Sequence, residues 1–121
     1  HFHFLRRGSA ASRFGADGID AATITEARVL HLSGITLAIS APSREAAWRA
    51  IEVARAGGTQ VSFDTNLRLR LWPLGEAQAA IDRALRRCDI ALPGADDMAA
   101  LTGLTDPDDI AEHCLGRGAR V

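Results

Sequence analysis

The 121-residue chain is long enough for one small domain with a modest core, and 47% of its residues are apolar and 24% charged. A formal net charge of −1 argues against a nucleic-acid or anionic-membrane surface, where a basic excess is expected, and no apolar run approaches the roughly 20 residues of a membrane span. All 14 basic residues are arginine, so a lysine nucleophile or Schiff base is excluded, and Cys88 and Cys114 have neither the number nor the spacing of a disulfide framework or zinc site.

His1-Phe2-His3-Phe4-Leu5 alternates like a strand and gives way to a loop at Arg6-Arg7-Gly8-Ser9. Residues 10–27 are mixed, with a short helix expected near residues 20–26. Arg28-Val29-Leu30-His31-Leu32 reads as a second strand. Ser33-Gly34 breaks it where a backbone can approach a ligand closely, and a pocket-lining loop is expected to follow. From Pro42, Ala47, Ile51 and Ala54 share one helical face, Glu45 and Arg49 are spaced to pair, and Gly57-Gly58 ends the run. A strand over residues 60–64 comes next, then a helix over about residues 75–87 with Ala77, Ile81, Ala84 and Leu85 facing inward, then a strand at Asp89-Ile90-Ala91-Leu92.

Pro93-Gly94 turns the chain into a short helix with Met98 and Leu101, closed by Gly103. Asp106 is placed to cap a last helix starting at Pro107, with Ile110, Cys114 and Leu115 buried and Gly116 beyond its end. Strands alternating with helices predict βαβ crossovers and an α/β fold, a mostly parallel sheet with flanking helices. The chain opens inside a strand-like segment and stops at Ala119-Arg120-Val121, where another strand should begin. The sheet is therefore expected to be incomplete at both ends, as in a piece of a longer protein, with exposed edges that favour aggregation.

Four stretches carry candidate chemistry. The strongest is residues 61–72, where an apolar strand with Val61 and Phe63 runs into Asp64, Asn66, Arg68 and Arg70. Alternate polar side chains at the carboxyl end of a parallel strand lie where α/β proteins bind ligands, although a solvated turn started by Asp and Asn accounts for the same pattern. Trp72-Pro73 would add a rigid apolar wall. At Arg6-Arg7-Gly8-Ser9-Ala10 an arginine ends a strand beside small residues, which reads either as an exposed basic edge or as a second anion contact. If Arg6 and Arg68 converge, two guanidinium forks would hold a carboxylate or phosphate, and the ligand would be a small anion.

His31-Leu32-Ser33-Gly34-Ile35 fails as a serine-nucleophile elbow because His31 stands where that turn needs glycine. Gly34 and Ile35 fit a pocket wall better, and His31 fits an ordinary strand position. His1-x-His3 lacks partner ligands for a transition metal. Asp96 and Asp97 at the start of a helix suit its positive dipole end. Alternatively, one of them holds a magnesium-bound water near a nucleotide phosphate. Gly116-Arg117-Gly118 follows a helix rather than a strand, unlike a phosphate loop.

Taken in order, residues 6–12, His31-Leu32-Ser33-Gly34-Ile35-Thr36, Ser62-Phe63-Asp64-Thr65-Asn66-Leu67-Arg68 with Leu71-Trp72, and Leu92-Pro93-Gly94 through Leu101-Thr102-Gly103 resemble the ribokinase-like (PfkB) sugar kinases. The 2-keto-3-deoxygluconate kinase branch is the nearest, and the four motifs in family order span almost the whole chain. The resemblance implies a ribokinase-like, Rossmann-like fold, with residues 1–121 as the central part of one kinase domain. It implies ATP and Mg²⁺ as cofactors and a small sugar acid as substrate, with a homo-oligomer left open for the full-length protein. The net charge speaks for no nucleic-acid or membrane partner, and the two cysteines read simply as a reducing, cytoplasmic location.

By the same resemblance, Arg6 and Arg68 match substrate-binding positions, and Phe4 and Ile35 match pocket walls. Gly34, Asp64 and Asn66 would support the site, and Asp97 matches the acidic residue of the family's Asn-x-x-Glu magnesium motif. Three departures stand out: Gly94 replaces the Asn of that motif, Asp97 is one methylene shorter than its Glu, and Phe4 stands where the nearest branch often has Tyr. The family's N-terminal Gly-rich segment and its Gly-Ala-Gly-Asp motif, whose Asp is the catalytic base, have no counterpart in these residues. The 121-residue chain is thus expected to be inactive alone. A fructokinase or other PfkB sugar kinase, or a non-catalytic remnant with the same fold, is the alternative.

Overall fold

The computed structural model describes residues 15–120, so the expected first strand, with Phe4 and Arg6, lies outside the described residues. Three parallel strands lie side by side in chain order: β1 (Val29–Ser33), β2 (Gln60–Asp64) and β3 (Ile90–Leu92). A 3-10 turn (Ala16–Gly18) and helix α1 (Ala21–Glu26) precede β1. Helices α2 (Gly34–Ala38) and α3 (Ala41–Gly57) join β1 to β2, α4 (Leu74–Leu85) joins β2 to β3, and α5 (Ala95–Thr102) and α6 (Pro107–Gly116) follow. This is the parallel sheet with flanking helices that the pattern predicts.

The central strand is apolar because it is covered on both faces. Val61 and Phe63 are fully buried, and Ser62 between them is buried as well. Ile51 and Ala54 of α3 and Ala77, Ile81 and Ala84 of α4 belong to the same core cluster. The alanines keep these helix faces low, so the helix backbones can lie close to the sheet without forcing side chains out of their rotamers.

Helix ends follow their capping chemistry. Ser40 Oγ accepts from Ser43 N at 3.1 Å to start α3, and Gly58 ends it in the left-handed conformation, φ 80°. Asp106 Oδ1 accepts from Asp108 N at 2.8 Å and opens α6 beside Pro107. Between elements, Thr59 Oγ1 donates to the Ile24 carbonyl at 2.8 Å, closing the end of α1 over the start of β2.

Three local expectations change. Residues after Ser33 form helix α2 rather than a loop. Its last carbonyls find partners from α3: Ser43 Oγ donates to Thr36 O at 2.7 Å and Arg44 Nε to Leu37 O at 2.8 Å. Arg49 pairs with Glu52 at 3.7 Å, both exposed, in place of the Glu45 pairing that the spacing allowed. Leu115 is 51% exposed, because one residue beyond the buried Cys114 the helix has already turned about 100° toward solvent.

Gly34 permits the junction of β1 and α2. A Cβ there would collide with the Thr65 carbonyl oxygen and stand 3.1 Å from that of Asn66, both backbone atoms that have no other place to go. Gly34→Ala is expected to destabilise the fold by about 2–3 kcal/mol, read as a lowered denaturation midpoint at unchanged m-value.

Asp82 ties α4 to the end of α6, accepting from Arg86 Nε and Arg117 Nε, each at 2.8 Å. Partial burial alone would push its carboxyl up, but the two arginine hydrogen bonds outweigh it and hold it below its ordinary value. Because the folded form favours the charged carboxylate, its stabilising effect is present above about pH 4 and fades as the pH falls through the folded value. Asp82→Asn should therefore lower stability at pH 7, by under about 1 kcal/mol after solvent screening. The difference from wild type should shrink in denaturation curves as the pH falls through the lowered folded value.

Candidate functional site

Register aligns the carboxyl ends of the three strands. Ser33 pairs with Asp64, and Asp64 with Leu92, so β1, β2 and β3 finish at one edge. From there the chain continues extended through Thr65 and enters the left-handed region at Asn66, φ 35°. Asn tolerates this conformation better than most residues, which explains its place in the motif. A turn follows, closed by Leu71 N donating to Arg68 O at 3.0 Å. The alternation of Asp64, Asn66, Arg68 and Arg70 is thus not a strand pattern beyond Asp64, since the backbone changes direction at Asn66.

Thr65 organises this edge. Its side chain is fully buried, and Oγ1 accepts from Gly94 N at 3.0 Å and donates to Asp97 Oδ2 at 2.8 Å. Its own backbone N donates to Leu92 O at 3.3 Å, extending the β2–β3 ladder by one bond. Gly94 is the N-cap of α5 and Asp97 its third residue. In an ordinary capping box the third residue reaches back to the N-cap amide directly. Here the Thr65 hydroxyl stands between the two, so a residue from the end of β2 caps a helix that follows β3.

Gly94 leaves room for this arrangement. A Cβ at position 94 would lie 2.7 Å from Asp97 Oδ2, so the missing side chain and the short Asp97 carboxylate belong together. The two departures from Asn-x-x-Glu therefore have one geometric account. Sequence reasoning passed over Thr65 because it falls between the polar residues of the alternating motif. The available signal was Gly94-x-x-Asp97 at capping-box spacing with no side chain at the cap.

The structure brings Gly34, Asp64, Thr65, Asn66, Gly94 and Asp97 to one edge of the sheet. Ile35 is half-buried in the first turn of α2, beside Gly34. Arg68 is exposed and turns back so that Nη1 donates to Leu67 O at 2.9 Å. Trp72, expected as a rigid apolar wall, is 4% exposed, with the Arg44 guanidinium 4.9 Å from its ring centroid. It anchors the far end of the loop by packing and a cation–π contact. His31 Nδ1 lies 3.1 Å from Ser62 Oγ on the neighbouring strand, a structural role for that histidine.

A cavity of about 570 Å³ between α4, α5 and α6, lined by Gln78, Asp82, Met98 and Arg117 among others, shares no lining residue with the strand-end edge. Among the described residues no three His, Cys, Asp or Glu side chains gather closely enough to hold a metal ion. Cys88 and Cys114 are both buried and free. Burial, with Cys114 nearby, pushes the Cys88 thiol up to about 11, which removes it as a nucleophile at neutral pH.

Residues 3–121 match the pfkB family carbohydrate kinase. The chain belongs to this family. It is 39% identical over 108 residues to the 2-dehydro-3-deoxygluconokinase of Thermoproteus tenax, covering 88% of this chain and 32% of that protein. Fructokinase-1 of Zea mays is 36% identical over 109 residues, 89% of this chain and 33% of that protein. Among solved structures, a PfkB protein from Polaromonas sp. JS666 superposes with a TM-score of 0.92 at 40% identity, covering 98% of this chain and 40% of that one. This pfkB chain therefore spans about a third of the length of the curated relatives it matches.

Proposed function

We propose that this pfkB chain supplies the substrate-binding part of a kinase that transfers the γ-phosphoryl group of ATP to a hydroxyl of 2-keto-3-deoxygluconate, giving the 6-phosphate. The observation that carries this reading is the strand-end edge itself. Asp64, Asn66 and Arg68 leave a β2 terminus held by Gly34 on one side and by Gly94 and Asp97 on the other. Identity to a 2-dehydro-3-deoxygluconokinase along 88% of the chain supports an acid substrate. Arg68 bonds a neutral carbonyl, and exchanging it for a ligand carboxylate gives a stronger, charge-assisted pair. In this reading Arg6 supplies the second fork, Phe4 and Ile35 form walls, and Gly34, Asp64 and Asn66 support the site.

ATP and Mg²⁺ enter with the same reading. With one Asp97 oxygen engaged by Thr65 and no three-ligand group among the described residues, the residues fit a magnesium ion held mainly by phosphate and water oxygens. Asp97 would then bond one of its waters. Magnesium would offset the phosphate charge during transfer. No residue of this chain is assigned as the base.

A second reading, a fructokinase, is supported by the 36% identity to Fructokinase-1 of Zea mays. Initial rates with 2-keto-3-deoxygluconate and with fructose, measured on the full-length protein, separate the two. The sugar acid should give the higher kcat/KM by at least about tenfold. Arg68→Ala and Arg6→Ala should each raise its KM by about 10- to 100-fold while affecting fructose far less. Equal losses on both sugars would contradict the carboxylate clamp, and failure to phosphorylate either would favour a non-catalytic member of the fold.

A further inference from the structure

We propose that Thr65 is a positioning residue for sugar-acid binding, its hydroxyl clipping the loop that carries Asn66 and Arg68 to the first turn of α5, with Asp97 as the anchor of that clip. The proposal rests on the sugar-acid reading of the site, but the clip itself rests on geometry. Thr65 is the residue between Asp64 and Asn66, fully buried, with both hydrogen-bonding functions of its hydroxyl used: Gly94 N at 3.0 Å and Asp97 Oδ2 at 2.8 Å. Its carbonyl fills the space where a Gly34 Cβ would be. Thr65 therefore cannot slide or rotate without breaking contacts to the ends of both neighbouring strands.

Immediately beyond it, Asn66 holds φ 35°, a conformation that costs a non-glycine residue energy and persists only where the surrounding structure holds it. The clip fixes the N-terminal flank, and the buried Trp72 fixes the other end. Arg68 lies on the span between these two anchors, so its reach toward a ligand is set by them. Asp97 thereby acquires a role independent of any metal: it accepts the hydrogen bond from the Thr65 hydroxyl and holds it oriented so that its lone pair meets Gly94 N.

This separates two functions that a carboxylate at position 97 could have. A clip needs an acceptor oxygen, which asparagine also provides, whereas a charge-based role needs the negative charge. The test is calorimetric binding of 2-keto-3-deoxygluconate to the full-length protein without nucleotide or magnesium, with melting temperature and amide exchange measured in parallel. Thr65→Val, which keeps the shape and removes the hydroxyl, and Asp97→Ala should each weaken binding about tenfold. The double variant should be little worse than either, because both break one interaction. Thr65→Ser and Asp97→Asn should lose no more than about threefold, and the hydrogen-bonded amides of Gly94 and Leu71 should exchange at least about tenfold faster in Thr65→Val.

Wild-type affinity in Thr65→Val, or losses that add in the double variant, would overturn the proposal even if the melting temperature fell. If the wild-type protein bound no sugar acid, the substrate reading would fall instead. Amide exchange would then decide the clip alone: acceleration at Gly94 and Leu71 in Thr65→Val upholds it, and no change refutes it.

Discussion

One buried hydroxyl holds the carboxyl edge of this sheet together. Parallel strands present their carboxyl ends side by side, but nothing in the ladder itself fixes the loops that leave them. Thr65 Oγ1 does so for β2 and β3 through Gly94 N and Asp97 Oδ2, and the Thr65 carbonyl does so for β1 by closing over Gly34. The glycines at positions 34 and 94 are the spaces that make these approaches possible. A fold that binds ligands beyond its strand ends needs such a brace, because a loop free to shift by an ångström loses the geometry of its polar contacts.

The arginine-only composition takes on meaning in the structure. Arg44 stacks on Trp72 and bonds the Leu37 carbonyl, Arg83 lies 4.2 Å from the Trp48 ring centroid, and Arg55 donates to the Arg87 carbonyl at 2.9 Å. Arg86 and Arg117 share Asp82. Between them these guanidiniums supply stacking, directed hydrogen bonds to backbone carbonyls and pairing with a carboxylate, which the compact ammonium of lysine does less well. Arg68 differs: its bond at 2.9 Å is to the carbonyl of the adjacent residue, Leu67. It joins no distant elements, and in the proposed sugar-acid reading it is the strand-end arginine that would meet the ligand.

Much of the architecture was legible because its punctuation is local. Pro42 and Gly58 bound α3, Asp106 and Pro107 open α6, and Gly103 closes α5 in the left-handed conformation. Helix α2 was not legible, since Gly34-Ile35-Thr36-Leu37-Ala38 carries no cap or stop of its own and is completed by Ser43 and Arg44 from the next helix. The site divides the same way. Asp64, Asn66 and Arg68 are visible as a polar cluster after an apolar strand, while Thr65 and Gly94 matter through contacts between segments about thirty residues apart, 29 in the case of Gly94. Such contacts leave no periodic trace.

The most direct test is a crystal structure of the full-length protein with 2-keto-3-deoxygluconate bound. The account predicts the sugar carboxylate on the Arg68 guanidinium, with Arg68 released from the Leu67 carbonyl and the Thr65–Asp97 hydrogen bond intact. A carboxylate bound elsewhere, with Arg68 still turned back on Leu67, would contradict it.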